Sequence, residues 1–267
     1  MKKILTIFTA LALSFITLNA SSLDEIQKRG IVKIGVFGDK LPFGYIDSDG
    51  KNAGYDIELA KRIAKELFGD ESKVEYLLVD PATRVEFLNA NKVDIILANF
   101  TKTKERERVV DFASPYMKVS IGVVSKESNP IKSVDDLKGK TLLINKGTTS
   151  DLYFTKNKPD AKILKFDQIA ETLAAMLDGR GDALAHDNVF LFAWAKNNPG
   201  HVVAIEALGN EDVIAPAVKK GNKELLNWLN ELIAKLESEK FFAAAYDKTI
   251  RPVYGDDINP ASVLIEK

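Results

Sequence analysis

The chain has 267 residues, room for one large or two modest domains, and its 46% hydrophobic and 28% charged content describes a folded globular protein. A net charge of −1 gives no reason to expect nucleic acid or an anionic membrane as partner. The absence of cysteine excludes a disulfide framework, a thiol nucleophile, a thiolate metal site and a lipoprotein anchor.

Residues 1–20 read as a secretory signal. Lys2 and Lys3 make a basic start, an apolar run follows, and Ala20 supplies a small residue for cleavage. The apolar run is too short for a comfortable membrane span, so an uncleaved anchor is the lesser reading. The periplasm is the expected address. Residues 22–29 form a short amphipathic helix and residues 31–37 a β-rich run. Residues 41–45 are irregular around Pro42, and residues 51–54 make a turn. In residues 56–68, Ile57, Ala60, Ile63, Ala64 and Leu67 recur at helical spacing, and Gly69 stops the helix. Residues 74–79 form a strand. Thr83 and Glu86 have the spacing of a capping box for a short helix.

Residues 93–98 are nearly all apolar, as a strand covered on both faces would be. They open into a polar turn, residues 99–103, and Arg106 follows. Backbone groups at a strand's carboxyl end are only partly used by the sheet and can face a ligand. A guanidinium beside them can hold a carboxylate through two parallel hydrogen bonds, which suits the α-carboxylate of a free amino acid.

After Pro115 the same grammar restarts. Strands are predicted at 121–124, 141–145, 163–166, 183–185 and 214–218, with a capped helix at 133–138. Further helices start at 149, 169, 222 and 240. Strands alternating with helices predict mostly parallel α/β sheets, and the restart predicts two lobes. The extended segments 116–120 and 210–213 are the expected crossovers. The first lobe would then hold residues 21–117 and 212–267, and the second residues 118–211. Two facing lobes would enclose a ligand beyond the carboxyl ends of their strands. The polar tail 251–267, with Pro252 and Pro260, is expected to lie loosely on the surface.

Four segments carry a resemblance: IGVFGDKLPFGY with GYDIELAKRIAKELFG, DIILANFTKTKERERVVDFASPYM, DLKGKTLLINKGTTSDLYF and GRGDALAHDN. Their order and spacing resemble the polar amino-acid-binding proteins of ABC importers, solute-binding protein family 3, from about Leu23 to Tyr254. The resemblance implies an α/β, two-lobed periplasmic binding protein fold of type II, its lobes joined by two crossover segments. It implies a monomer that closes on a free amino acid and presents it to the permease subunits of an ABC transporter. It implies no cofactor, no metal and no catalysis.

The resemblance also assigns residues. Arg106 stands where the family's arginine holds the ligand's α-carboxylate; otherwise it belongs to a solvated basic run with Lys102, Lys104 and Arg108. Asn99 and Thr101 match positions that assist, or else form a plain polar turn. Asp187 stands where a carboxylate meets the α-ammonium, and it could instead cap the following helix. The loop of Gly147, Thr148, Thr149 and Ser150 would add hydrogen bonds to the α-carboxylate, or would simply cap its helix. Arg84 resembles the arginine of glutamate-, aspartate- and cysteine-type members that reaches the ligand side chain; its other reading is an exposed first-turn residue. Lys40 replaces the aromatic ring that many members stack on the ligand, which argues against a large apolar ligand. Phe43 reads as a pocket wall or core residue. His186 and His201 are too few and too far apart in sequence for a metal site. Beside Asp187, a pocket contact is open to His186, with a core or surface role the leading expectation.

The overall likeness is greatest to cysteine-type members, so cysteine ranks first and glutamate or aspartate second. Some relatives on this fold are periplasmic dehydratases, which makes an enzyme the competing reading. It would need a general acid over the substrate, and no residue is identified for that role. A receptor's sensing domain is a third reading, disfavoured because no membrane segment follows Lys267 in the sequence.

Overall fold

The computed structural model describes residues 22–157 and 159–265. The expected signal at residues 1–20 lies outside them. Ser22 caps the helix Leu23–Arg29 through a capping box with Glu25, and Gly30 ends it in the left-handed conformation.

Two five-stranded sheets form the two lobes. The first has the order Val74–Leu78, Val32–Val36, Ile95–Ile96, Ala217–Lys219, Val110–Phe112. The second has the order Lys162–Phe166, Thr141–Asn145, Ala183–Asp187, Met117–Lys126, His201–Ile214. In each, the first three strands are parallel and the fourth runs antiparallel to its neighbours on both sides. In each, the fourth strand is also out of sequence order. Met117–Lys126 enters the second sheet before the three parallel strands are built, and Ala217–Lys219 returns to the first after the second is complete.

Both crossings run side by side. Met117 pairs with Ile214 at one end and Lys126 with His201 at the other, with shifts of register between. The expected crossovers at 116–120 and 210–213 are the start and end of this long antiparallel pair. Helices Tyr55–Phe68, Lys223–Ser238 and Phe241–Thr249 contribute to one large apolar cluster, as do Ile169–Leu177 and Asn188–Asn197. Two smaller clusters lie against the first sheet, around Phe100 and Ile96, and against the second, around Val123 and Phe154.

Several expectations are corrected. The strand at 93–98 is cut to Ile95–Ile96, because Asn99 turns the chain with a positive φ of 43°. Residues 133–138 form only a short 3-10 turn, Asp135–Leu137, while Ser133 and Asp136 exchange bonds as a box would. The expected box at Thr83 is absent. Thr83 already has helical dihedrals, and its hydroxyl turns back to Asp80. The strand expected at 214–218 is split between the end of His201–Ile214 and Ala217–Lys219. The tail does not lie loosely on the surface. Tyr254 and Val263 are buried, the Tyr254 hydroxyl donates to the Val189 carbonyl, and the Lys118 amide donates to the Val263 carbonyl. Its few apolar residues supply a docking face that polar composition hides.

Candidate functional site

Segments of the two lobes converge on one narrow cleft. The first lobe supplies Lys40, Arg84, Asn99, Thr101 and Arg106, and the second Thr148, Thr149 and Asp187. These eight expected site residues therefore face one cleft, whose lining Phe37, Pro81 and His186 complete, while Gly147 and Ser150 of the expected loop do not line it. Phe43 is fully buried in the large apolar cluster instead.

Asp187 ends the strand Ala183–Asp187 and stands at the N-cap of the helix Asn188–Asn197, yet its side chain does not cap that helix. The carboxylate turns into the cleft. Its Oδ2 accepts from Lys40 Nζ at 2.9 Å and from Asn99 Nδ2 at 2.6 Å, both from the first lobe. Its Oδ1 has a long 3.4 Å contact from the Thr149 hydroxyl. Burial is the largest single influence and pushes this carboxyl up, but the Lys40 charge, its hydrogen bond and further nearby charges such as Arg106 together hold the group at about 2. Burial lowers Lys40 in turn, with Asp187 opposing. The Lys40 ammonium also sits over the rings of Phe37 and Phe190, at 5.2 and 5.5 Å.

His186 is buried beside this pair and lines the cleft, which is the pocket contact left open by its place beside Asp187 and not the leading core or surface expectation alone. Burial, then the Lys40 charge, pushes its imidazole down to about 3, so the ring is neutral near pH 7. Its Nδ1 accepts from the Asp187 amide at 2.7 Å.

Arg106 begins a short 3-10 turn, Arg106–Arg108, and is only 8% exposed. One Nη donates to the Thr101 carbonyl at 2.6 Å and the other to the Gly147 carbonyl of the second lobe at 2.9 Å. A guanidinium has five N–H donors, so others remain for a ligand. Burial lowers its pKa to about 10, which leaves it protonated. Arg84 is 3% exposed, which overturns the reading of it as an exposed helix residue. One Nη donates to the Ala98 carbonyl at 2.8 Å. Burial, then the nearby Arg106 charge, shifts Arg84 well downward. Both guanidiniums pack on the Phe100 ring, at 3.9 Å for Arg84 and 4.8 Å for Arg106. A π face that accepts two cations helps such like charges share a dry site.

In the second lobe, Thr148 does act as a cap: its hydroxyl accepts from the Asp151 amide at 3.2 Å. Thr149 instead reaches Asp187. Gly147 has φ +74°, and a Cβ there would lie 2.9 Å from Ala82 backbone atoms and the Pro81 carbonyl. Glycine is what lets the two lobes approach at this point.

Asp56 escaped the sequence reading. Its Oδ2 accepts from the Asn99 amide at 2.8 Å and its Oδ1 from the Tyr116 hydroxyl at 2.6 Å. Burial pushes it up to about 6 against both bonds. The available signal was its place on the buried stripe with Leu59, Ala60 and Ile63. Phe37 and Phe100 looked like ordinary core residues, and nothing in their spacing marked them. Among the described residues, no cluster of three or more metal-ligating side chains occurs, and no helix is long and apolar enough to cross a membrane.

Residues 32–251 match the model of bacterial extracellular solute-binding proteins, family 3. Among solved structures, a cysteine-binding protein from Campylobacter jejuni is 61% identical, with a TM-score of 0.90 over 92% of this chain and 99% of that one. A solute receptor for L-cysteine from Neisseria gonorrhoeae is 55% identical, with a TM-score of 0.90 over 92% of this chain and all of that one. A glutamine-binding protein of a Bacillus subtilis ABC transporter is 34% identical over 232 residues, which are 86% of this chain and 85% of the relative.

Proposed function

Because the chain belongs to family 3 of the bacterial extracellular solute-binding proteins, we propose that it captures a free polar amino acid, L-cysteine first, and delivers it to an ABC importer. The observation that carries this reading is a single buried cleft, lined on one side by Arg84 and Arg106 and on the other by Asp187. A zwitterion needs both signs of charge within one ligand's length, in a dry site. Arg106 takes the α-carboxylate with help from Thr101 and from the Thr148–Thr149 loop. Asp187 takes the α-ammonium through Oδ1, steadied by Asn99 and Lys40. Arg84 and Lys40 face the side chain.

The preference for cysteine is supported by the similarity to two cysteine-binding structures. A second reading, glutamate or aspartate, is favoured by the buried Arg84. Its relatives support a binding protein over a dehydratase. Incubation with prephenate- or arogenate-like acids, followed by a search for aromatic product, checks that choice.

In this reading residues 1–20 are a cleaved signal and the mature protein works in the periplasm as a monomer that meets permease subunits. Residues 21–117 with 212–267, and residues 118–211, move as two lobes about the paired crossovers. A thermal-shift screen of the common amino acids, with a reductant present, tests the function. A ligand at a hundred times its Kd should stabilise the protein by about 2.7 kcal/mol. No stabilisation by any amino acid would refute it.

A further inference from the structure

The charges in the cleft do not balance for a neutral amino acid. Lys40, Arg84 and Arg106 are buried cations, and Asp56 and Asp187 are the buried carboxylates beside them. The cations therefore outnumber the carboxylates by one. His186 is neutral, and burial raises the Tyr116 phenol so that it stays protonated. Asp212 acts on Arg106 and Asp187 from a half-buried position, while Asp39 beside Lys40 and Glu105 beside Arg106 are exposed. Solvent screens those three far more than the buried set.

The surplus charge can be placed. Lys40 has Asp187 as its ion-pair partner. Arg106 has the α-carboxylate under the function proposed above. Arg84 forms no ion pair among the described residues, and its buried Nε has no hydrogen-bond partner there. In contact it meets a carbonyl and the rings of Phe100 and Phe37, while the carboxylates of Asp187 and Asp56, already engaged with other partners, act on it only from a distance. An ordinary zwitterion brings no net charge and would leave this guanidinium closed in without a counter-ion in contact, which is costly.

We propose that the cleft takes its amino acid as a net monoanion, with a negatively charged side chain set against Arg84. This inference rests on the amino-acid-binding reading. For a dicarboxylic amino acid the bound form is the one already present in solution. For L-cysteine it is the thiolate: the S–H bond breaks heterolytically, the electron pair stays on sulfur and the proton leaves to bulk buffer. No oxidant or reductant is involved. A free thiol with a pKa near 8.5 is only about 3% ionised at pH 7. Binding of L-cysteine should therefore release close to one proton, and its affinity should rise about tenfold per pH unit up to about pH 8.

Calorimetric titration in buffers of different ionisation enthalpy tests this, with L-cysteine under reductant, L-aspartate and L-serine as parallel ligands. The expected result is nearly one proton released with L-cysteine, none with L-aspartate, and far weaker binding of L-serine. The thiolate's ultraviolet absorbance should appear on binding. Arg84→Gln, checked for folding by its melting curve, should lose most of the proton release with L-cysteine. Binding of L-aspartate but not of L-cysteine also supports the monoanion. L-Cysteine binding without proton release and with a flat pH dependence overturns the inference and leaves amino-acid binding intact. Equal proton release with L-serine would trace the proton to a protein group and also overturn it. A tighter neutral ligand would overturn it as well. Failure of every amino acid to bind refutes the underlying function instead.

Discussion

Asp56 accepts a 2.6 Å hydrogen bond from the Tyr116 hydroxyl, and so ties the start of the helix Tyr55–Phe68 to the residue just before the first crossover strand. Its other oxygen holds the Asn99 amide, in the turn that lines the cleft. One buried carboxylate thus connects the crossover to the ligand loop. Asp56→Ala would leave both donors buried without an acceptor. It should cost roughly 2–5 kcal/mol of stability, read as a lower urea midpoint in ligand-free protein. An unchanged midpoint would mean that water or a neighbour replaces both bonds.

Arg106→Ala should weaken amino-acid binding by roughly 2–5 kcal/mol, because a buried carboxylate loses its partner. Arg106→Lys should also bind poorly, since an ammonium cannot reach the carbonyls of Thr101 and Gly147 while holding a carboxylate in bidentate geometry. Titration calorimetry with near-native affinity for both variants would remove Arg106 from the site.

Asp187→Asn strands the buried Lys40 ammonium. Breaking such a pair should destabilise the ligand-free protein by roughly 3–5 kcal/mol. The double variant Lys40→Met with Asp187→Asn should recover most of that loss, because no unpaired charge remains, while both proteins bind amino acids weakly. A double variant as unstable as the single one would show that the hydrogen bonds from Asn99 and Thr149, and not the ion pair, set the cost.

Gly147→Ala places a methyl group against the Pro81–Ala82 backbone of the other lobe. Closure should suffer, and each lobe should keep its own packing apart from the strain of a left-handed alanine. Small-angle scattering should show a larger radius with saturating ligand than for the wild type, and affinity should fall at least tenfold. Equal radii would place the closed contact elsewhere.

His186 and Asp56 make opposed contributions to the pH dependence of stability. Folded His186 stays neutral down to about pH 3, whereas an unfolded imidazole takes up a proton near 6.5. Its contribution is therefore lost as pH falls from about 6.5 toward 3, by about 1.4 kcal/mol per pH unit. Asp56, raised to about 6, keeps a proton that the unfolded chain releases near 3.8, so its contribution is lost as pH rises across that window. His186→Asn should remove the first slope and leave the second. Urea midpoints measured between about pH 4 and 6 should then fall as pH rises in the variant. A variant curve parallel to the wild type would mean that His186 does not resist protonation.

Periodicity and spacing in the chain itself specify most of the helices, the restart after Pro115 and the turn that carries Asn99, Thr101 and Arg106. Those features depend on neighbours in sequence, and local physics governs them. The roles of Arg84 and Asp187 were open on that basis, because a first-turn arginine and an N-cap aspartate have respectable local uses. Tertiary structure decided where each sits: Arg84 is buried on Phe100, and the Asp187 carboxylate leaves its helix unserved to meet Lys40 across the cleft, 147 residues away in sequence. Asp56 and the docked tail belong to the same class. Their partners, Asn99 and Tyr116 for Asp56 and Val189 for Tyr254, are brought close only when the sheets and crossovers are in place. Burial is a property of the whole fold, and burial determines whether a polar side chain is a solvated surface group or a member of a site.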